Sequence, residues 1–255
     1  MLNQSPTTMK GKVALVTAAG DNLGKATAIR LAELGADLCI VDTDTVLLAA
    51  CAEELKQHGI KVHSCVTDIS HAENCAEAVA EAVNVFGRLD SLCNVATEFI
   101  PSSATGMAVE DWQRTIAINM NAPFYLSQAA IPYLLETEGT IVNVASCVAH
   151  MAVPYTAAYA ASKSGLISMT KSMAREYLEQ PIRINAIAPG GFPYTPRNPT
   201  ALPEDIDPAE LQRVTTKRGM VDIRQVADLI VYLASDASQG YHGSCVTIDN
   251  GISLG

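Results

Sequence analysis

A tyrosine, a lysine four residues later and a serine upstream form the most reactive arrangement in the sequence. Tyr159 and Lys163 stand in the run YAASK, and Ser146 lies thirteen residues before Tyr159. Residues i and i+4 of a helix project from one face, so the phenol and the amine should lie side by side. A nearby ammonium favours the ionised phenol and lowers its pKa from a reference of about 10. The three residues therefore predict acid–base chemistry, although a YxxxK run taken alone is usually a solvated helix face.

A glycine-bearing loop near the N-terminus could bind an anion. The segment TAAGDNLG follows a buried strand and opens a helix at about Leu23. Unpaired backbone N–H groups at such a helix start can bind a pyrophosphate. The loop has Gly20 and Gly24, and Asn22 tolerates the left-handed conformation that a third glycine would adopt. The methyl group of Ala18 is expected to displace the loop or to weaken binding, and a helix-capping turn without a ligand is the alternative.

An acidic residue at the end of the second predicted strand indicates which dinucleotide would bind. Asp42 stands about 20 residues after the loop, where a carboxylate can accept both ribose hydroxyls of an adenosine. The same charge would repel a 2′-phosphate. Thr43 and Asp44 follow with no arginine, and Asp21 in the loop adds a second negative charge. The spacing therefore favours NAD over NADP, with an ordinary helix cap as the alternative role of Asp42.

A larger pattern of strands and helices must position these residues. Short apolar runs rich in β-branched residues alternate with Ala-rich stretches of helical period that tend to end in glycine. The alternation predicts an α/β fold, a single-domain Rossmann-type doubly wound parallel sheet of about seven strands with helices on both faces. The strands are expected at residues 13–17, 37–42, 61–68, 91–96, 140–146, 182–189 and 244–251.

The chain is expected to form one domain over residues 10–255, behind a flexible tail at residues 1–9. With 255 residues, of which 49% are hydrophobic, it can bury one large core. Residues 190–220 resist the alternating pattern because they carry five prolines. This segment follows a strand end, where open α/β sheets bind ligands, so it is predicted to be the substrate loop. A surface excursion without a function is the alternative.

The composition argues against several classes of partner. The formal net charge is −10 and the lysines and arginines do not cluster, so no nucleic-acid partner is expected. No run approaches the roughly 20 apolar residues of a membrane span, and the first ten residues lack a secretory signal. We therefore expect a cytoplasmic protein with no membrane contact. The five histidines and seven cysteines lack metal-ligand spacing, so no metal is expected and the cysteines should be reduced, buried thiols.

Together these motifs resemble the short-chain dehydrogenase/reductase family over nearly the whole chain, from about Lys10 to Gly251. NVAT at 94–97 matches the NNAG motif that follows the family's fourth strand, and PGG at 189–191 resembles its nicotinamide-contacting turn. The resemblance places a catalytic tetrad on Asn119 in IAINMN, Ser146 in NVAS, and Tyr159 with Lys163 in YAASK. It also implies a cofactor site formed by Gly20, Asn22, Leu23, Asp42, Asp68, Ile69, Asn94, Ala96, Tyr159, Lys163, Pro189, Gly190 and Phe192.

By this resemblance the protein would transfer a hydride between NAD and a hydrophobic, alicyclic, steroid-like or aromatic secondary alcohol or ketone. Tyr159 would take the alcohol proton or return it in reduction, and Ser146 would hydrogen-bond the developing oxyanion. Lys163 would hold the nicotinamide ribose and lower the tyrosine pKa, while Asn119 would anchor a water relay. Assembly as a homotetramer, or a homodimer, is also implied. The substrate cavity could be lined by Glu98, His150, Tyr155 and Phe192, with a packing or surface role as the alternative for all four.

Several positions depart from the family pattern. Val95 replaces the second asparagine of NNAG and Thr97 replaces its glycine, so Thr97 is expected to narrow the substrate pocket. Phe192 stands where the family has valine or isoleucine. The family's threonine that holds the carboxamide is replaced here by Tyr194, or it is shifted by one position to Thr195. With Ala18, these departures leave a second interpretation open, a catalytically silent dinucleotide-binding protein with a regulatory or interaction role.

Overall fold

A single parallel sheet organises the part of the chain that the structure describes. The structure is a computed structural model, and it describes residues 7–195 and 218–254. The strands are β1 (Val13–Thr17), β2 (Asp37–Asp42), β3 (Val62–Val66), β4 (Ser91–Asn94), β5 (Thr140–Val144), β6 (Arg183–Pro189) and β7 (Cys245–Ile248). All six neighbouring pairs are parallel, in the order β3-β2-β1-β4-β5-β6-β7.

Helices cover both faces of the sheet. One apolar cluster includes Leu31, Leu48 and Ile230, and the cluster on the opposite face includes Val79 and Leu126. The predicted doubly wound α/β fold is therefore confirmed. The helices of the described residues are α1 (Asn22–Glu33), α2 (Thr45–Lys56), α3 (Ala72–Phe86), α4 (Val109–Ile116), α5 (Ala122–Glu136), α6 (Ala157–Glu176) and α7 (Ile223–Ala234), and a π-helical turn, Ala117–Asn121, joins α4 to α5.

Four of the seven strands, β3, β4, β5 and β7, end two or three residues before the carboxyl ends of the predicted runs, whereas β1, β2 and β6 end as predicted. After β4, for example, the N–H groups of Val95 and Ala96 donate to the hydroxyl of Thr17, at 2.9 and 3.0 Å, instead of continuing the ladder. The apolar character of these residues reflects burial at the sheet edge and not strand pairing. The carboxyl ends are thereby released from the sheet and become available to a site.

The two irregular segments predicted from the sequence fall largely outside the described residues. Of the flexible tail expected at residues 1–9, residues 1–6 are not described, but Met9 is buried and its N–H donates to the Leu34 carbonyl at 3.0 Å. The tail prediction is therefore wrong at its end, because Met9 packs into the core. Of the substrate loop expected at 190–220, residues 196–217 lie outside the described part.

The sheet has its switch point between β1 and β4. These two strands are neighbours, yet the chain proceeds from β1 to β2 and β3 on one side and from β4 to β5, β6 and β7 on the other. Open α/β sheets bind ligands in the crevice outside the carboxyl ends of the strands at this point. Thr17 and Asn94 end the two strands. The predicted nucleotide loop and the NVAT segment therefore meet at one crevice.

Gly24 marks the closest approach between α1 and the loop before it. A Cβ added at Gly24 would lie 1.9 Å from the backbone oxygen of Ala18. Because backbone atoms can shift little, we expect Gly24→Ala to lower the free energy of unfolding by about 3 kcal/mol in urea denaturation. Gly240→Ala is the matched control, since its added Cβ would meet nothing within 4 Å. Equal losses in the two variants would contradict the close approach.

Candidate active site

The loop between β1 and α1 has the backbone conformation of an open anion site. Asn22 has a φ of 45°, the left-handed conformation that the sequence predicts there. Ala18 is left-handed as well, with a φ of 53°, which costs an alanine about 1–2 kcal/mol. The side chain of the N-cap residue, Asp21, does not cap the first N–H groups of α1. Backbone donors of the helix start therefore remain for an anion.

Asp42 is built into this loop. Its carboxylate is 4% exposed, and Oδ2 accepts a hydrogen bond from the Gly20 N–H at 2.9 Å. Oδ1 accepts from the Asp44 N–H at 3.1 Å. The helix-cap role that the sequence left open for Asp42 belongs to Asp44, whose Oδ1 accepts from the N–H groups of Val46 and Leu47, both at 2.9 Å. Asp42 is thus placed beside the glycine loop without serving as a helix cap.

Asp68 lies on the far side of the crevice in an ion-pair network that the sequence did not predict. Its Oδ2 accepts from the Arg114 Nη1 at 2.9 Å, and its Oδ1 accepts from the Ser70 N–H at 2.9 Å. Burial raises the pKa of Asp68, but the hydrogen bonds from Ser70 and Arg114 outweigh it and hold the pKa below its usual value. Arg114 also lies 3.5 Å from the Glu98 carboxylate. Ile69, in contrast, packs its side chain into the core.

The NVAT segment is held by side chains from three other elements. Asn94 is 2% exposed and donates from Nδ2 to the Asn143 Oδ1 at 2.8 Å, so its side chain braces β4 against β5. Thr17 holds the backbone of the next two residues, as described above. Ala96 is partly buried and packs against the core on the α3 and α5 face. Asn94 and Ala96, both predicted cofactor contacts, are thus anchored at the crevice floor.

Asn119 joins this segment to helix α6. It lies in the π-helical turn and is fully buried. Its Oδ1 accepts from the Glu98 N–H at 2.7 Å, and its Nδ2 donates to the Glu98 carbonyl at 2.8 Å. The same Nδ2 donates to the Ser162 Oγ at 3.1 Å, and that hydroxyl donates to the Tyr159 carbonyl at 2.8 Å. Asn119 therefore fixes the helical turn that carries the tyrosine and the lysine.

Ser146, Tyr159 and Lys163 come together as the sequence predicts. The Ser146 hydroxyl lies close enough to the Tyr159 hydroxyl to lower the pKa of the phenol. Lys163 Nζ lies 5.7 Å from the centre of the Tyr159 ring. Phe99, whose role the sequence analysis missed, packs edge-on against that ring at a centroid distance of 5.0 Å. A phenol, a hydroxyl donor and an amine thus share one end of the crevice.

The electrostatics of this group differ from the sequence expectation. Tyr159 is partly exposed, but protein surrounds its hydroxyl, and this burial raises its pKa to about 12 while the nearby Ser146 hydroxyl lowers it. Burial likewise lowers the pKa of Lys163 to about 7. The expected depression of the tyrosine pKa by the amine is therefore not found in the unliganded protein, because burial disfavours the charged form of both groups.

The chain after β6 returns to the nucleotide loop. Gly190 donates its N–H to the Ile248 carbonyl at 2.9 Å, and a Cβ added to Gly190 would lie 2.8 Å from the Asp249 Cα. Asn22 and Thr195 exchange two hydrogen bonds, each of 3.0 Å, between the amide side chain and the backbone. Pro189 ends β6. Phe192 is partly buried and packs against the apolar cluster that contains Leu31 and Ile230.

Comparison with known proteins identifies the family. A protein-family model described as "Enoyl-(Acyl carrier protein) reductase" matches residues 18–253. The chain belongs to the short-chain dehydrogenase/reductase family. Members of this family are oxidoreductases, as the sequence resemblance predicts.

Curated relatives of this short-chain dehydrogenase/reductase align over nearly its full length. The 3-oxoacyl-[acyl-carrier-protein] reductase of Thermotoga maritima is 35% identical, covering 96% of this chain and 98% of the relative. The 2,5-dichloro-2,5-cyclohexadiene-1,4-diol dehydrogenase of Sphingobium indicum is 32% identical, covering 97% and 98%. The crystal structure of carveol dehydrogenase from Mycobacterium avium in complex with NAD has a TM-score of 0.86 at 26% identity, covering 96% of this chain and 99% of the other.

Two of the predicted cavity residues of this short-chain dehydrogenase/reductase, Tyr155 and His150, lie in different surroundings. Tyr155 lines a cleft of about 620 Å³. His150 is exposed, with its Nε2 3.8 Å from the Cys245 Sγ. The cleft is lined by Ser102, Ala104, Ala160 and residues 151–157.

Among the described residues no cluster of His, Cys, Asp and Glu could hold a metal, and none of the helices there could cross a bilayer.

Proposed function

We propose that this oxidoreductase transfers a hydride between NAD and a secondary alcohol or ketone, with Tyr159 as the acid–base residue. The observation that carries the proposal is the proximity of Ser146, Tyr159 and Lys163 beside the carboxyl end of β5. In oxidation Tyr159 takes the proton of the alcohol, and in reduction it returns the proton. Ser146 donates to the oxygen on which charge develops. Asn119 holds the turn beneath them and is the proposed anchor of the water relay.

The residues of the crevice fit a dinucleotide. The start of α1 is not capped by its N-cap side chain, and Gly24 lets the loop and the helix approach closely. Asp42 presents a carboxylate beside Gly20 and is the proposed partner of the adenosine ribose. Asp68 is the proposed adenine contact, with Gly20, Asn22 and Leu23 at the pyrophosphate and Pro189, Gly190 and Phe192 on the nicotinamide side. When bound, NAD accepts the hydride in oxidation of the alcohol, and its reduced form, NADH, donates the hydride in reduction of the ketone.

An alicyclic alcohol is the substrate class that the site favours. Phe99 stands edge-on to Tyr159 and offers an apolar wall beside the reacting oxygen. The adjoining cleft is lined mainly by apolar side chains, including Met151, Val153 and Pro154. The printed names of two similar proteins, a cyclohexadiene-diol dehydrogenase and carveol dehydrogenase, agree with this class. A homotetramer, or a homodimer, and a cytoplasmic location are further parts of the proposal.

A substrate screen with both cofactors tests the proposal. Purified protein should form NADH with at least one alicyclic, steroid or aromatic alcohol. We expect kcat/KM to be roughly 100-fold higher with NAD than with NADP, because the buried Asp42 carboxylate repels a 2′-phosphate. Asp42→Asn should lower the ratio of kcat/KM with NAD to kcat/KM with NADP about tenfold. Asp44→Asn is the matched control, since Asp44 caps α2, and it should leave the ratio unchanged.

Two outcomes would contradict this proposal. Equal kcat/KM values with NAD and NADP would refute the role of Asp42. Tight binding of NAD or NADH in calorimetry, without turnover of any alcohol or ketone, would instead favour the catalytically silent dinucleotide-binding protein. The strained φ of 53° at Ala18, in the proposed dinucleotide loop, is the observation that supports this second candidate function.

A further inference from the structure

Lys163 meets the crevice through Thr97. The lysine is 0% exposed, and its Nζ donates to the Thr97 Oγ1 and to the Val144 carbonyl, each at 2.8 Å. Among the described residues no carboxylate pairs with the amine. Thr97 itself is exposed. A ligand in the crevice therefore reaches the Thr97 side chain before it reaches the amine.

Thr97 is held firmly in this position. The two residues before it are tied to Thr17 through their N–H groups. The residue after it, Glu98, is tied to Asn119 through both its N–H and its carbonyl. Four consecutive residues are thus fixed by side chains from β1, the π-helical turn and α6. The place of the Thr97 hydroxyl is set by the fold and does not depend on a mobile loop.

The Thr97 hydroxyl has one proton to give. A threonine hydroxyl can accept two hydrogen bonds and donate one. It accepts from Lys163, and within the described residues it has no acceptor for its own proton. A donor that itself accepts from a cation is polarised, so the hydrogen bond that it makes is strengthened. The exposed hydroxyl is therefore a directed donor.

We propose that Thr97 is a ligand-contacting residue that transmits the charge of Lys163 into the crevice, where its hydroxyl donates to the ribose on the nicotinamide side. This inference rests on the proposed function, and it changes one part of it. Lys163 then stabilises the ribose through Thr97 and not by direct contact. The glycine that the family carries at this position would leave the amine open to the ligand, so the contact is particular to chains with a hydroxyl here.

The hydroxyl of Thr97 can be separated from its size by two substitutions. Thr97→Val keeps the shape and removes the hydroxyl, whereas Thr97→Ser keeps the hydroxyl and removes the methyl group. Three ligands test which ribose Thr97 contacts. NADH and ADP-ribose contain the ribose on the nicotinamide side as well as the adenosine ribose, whereas ADP contains only the adenosine ribose. We expect calorimetric titration of Thr97→Val to give about tenfold weaker binding of NADH and ADP-ribose with unchanged binding of ADP. Thr97→Ser should match the wild-type protein within about twofold for all three.

Each other outcome overturns the proposal. Unchanged binding of ADP-ribose to Thr97→Val would remove the contact, and tighter binding would make Thr97 an obstacle to Lys163. Equal losses in the valine and serine variants would assign the effect to packing of the methyl group. Thermal unfolding checks that the variants fold, with Thr97→Ala as a second hydroxyl-free variant. Wild-type protein that binds none of the three ligands would overturn the proposed function itself, a result distinct from selective failure at Thr97.

Discussion

Tyr159→Phe should lower kcat by about 10²- to 10⁴-fold, because it removes the hydroxyl that we propose exchanges a proton with the substrate. The ring and its edge-on contact with Phe99 remain, so the fold should be unaffected. The affinity for NADH should change by no more than about threefold, since most of the proposed dinucleotide contacts lie in the loop and at Asp42. A selective loss of kcat is therefore expected.

The matched control for this variant is Tyr177→Phe. Tyr177 lies at the C-terminal end of α6, outside the crevice, and loses the same hydroxyl. Steady-state rates of NADH formation, calorimetric NADH affinity and thermal unfolding should be measured for both variants. Tyr159→Phe that kept more than about a tenth of the wild-type kcat would refute the assignment of the acid–base residue.

Lys163→Met should abolish most activity and, at neutral pH or below, stabilise the fold. Lys163 is fully buried with no carboxylate partner among the described residues, and this burial lowers its pKa from the usual 10.5 to about 7. Methionine fills a similar volume without a buried charge. Turnover should nevertheless fall about 10²-fold, because the proposed sites of the oxyanion and the ribose lose their nearby cation.

The pH dependence of the stability follows from the same shift. Between pH 7 and 10.5 the unfolded chain holds the lysine proton and the folded protein does not, so the free energy of unfolding should rise with pH. Below pH 7 both states hold the proton and the penalty is fully present. Lys163→Met removes this contribution, so its advantage over the wild type should be greatest near pH 6 and smaller near pH 9.

Urea unfolding at the two pH values measures this effect. Lys171→Met is the matched control, because Lys171 is an exposed lysine on the same helix. It should leave both the stability and its pH dependence almost unchanged. Lys163→Met that is less stable than the wild type near pH 6 would show that the ammonium is better solvated than its burial indicates.

The fold and the positions of the reacting residues could be predicted because both depend on local pattern. Buried parallel strands are continuous β-branched runs, and strands such as Val13–Thr17 and Asp37–Asp42 lie where those runs stand. The left-handed turn at Asn22 follows from the tolerance of asparagine for that conformation. The shared face of Tyr159 and Lys163 follows from their spacing in a helix.

The pKa values could not be predicted from the same spacing. Whether an amine lowers the pKa of a phenol depends on how far each is desolvated, and burial is a property of the whole fold. Thr97 stands 66 positions before Lys163. Only the folded chain brings the two residues together, so the sequence alone carries no sign of their hydrogen bond. The ion pair between Arg114 and Asp68 joins positions 46 apart for the same reason. An arginine on a short helix carries no signal that identifies its partner.

We propose that Tyr159 exchanges a proton at moderate pH once the cofactor is bound. Oxidised nicotinamide carries a positive charge, which favours the ionised phenol. Ultraviolet difference titration of tyrosinate, comparing wild type with Tyr159→Phe, isolates the ionisation of this one residue. The free protein should show it only above pH 10, in line with the raised pKa of about 12, and saturation with NAD should move it to lower pH by at least about two units. An ionisation that NAD leaves unmoved would contradict the account.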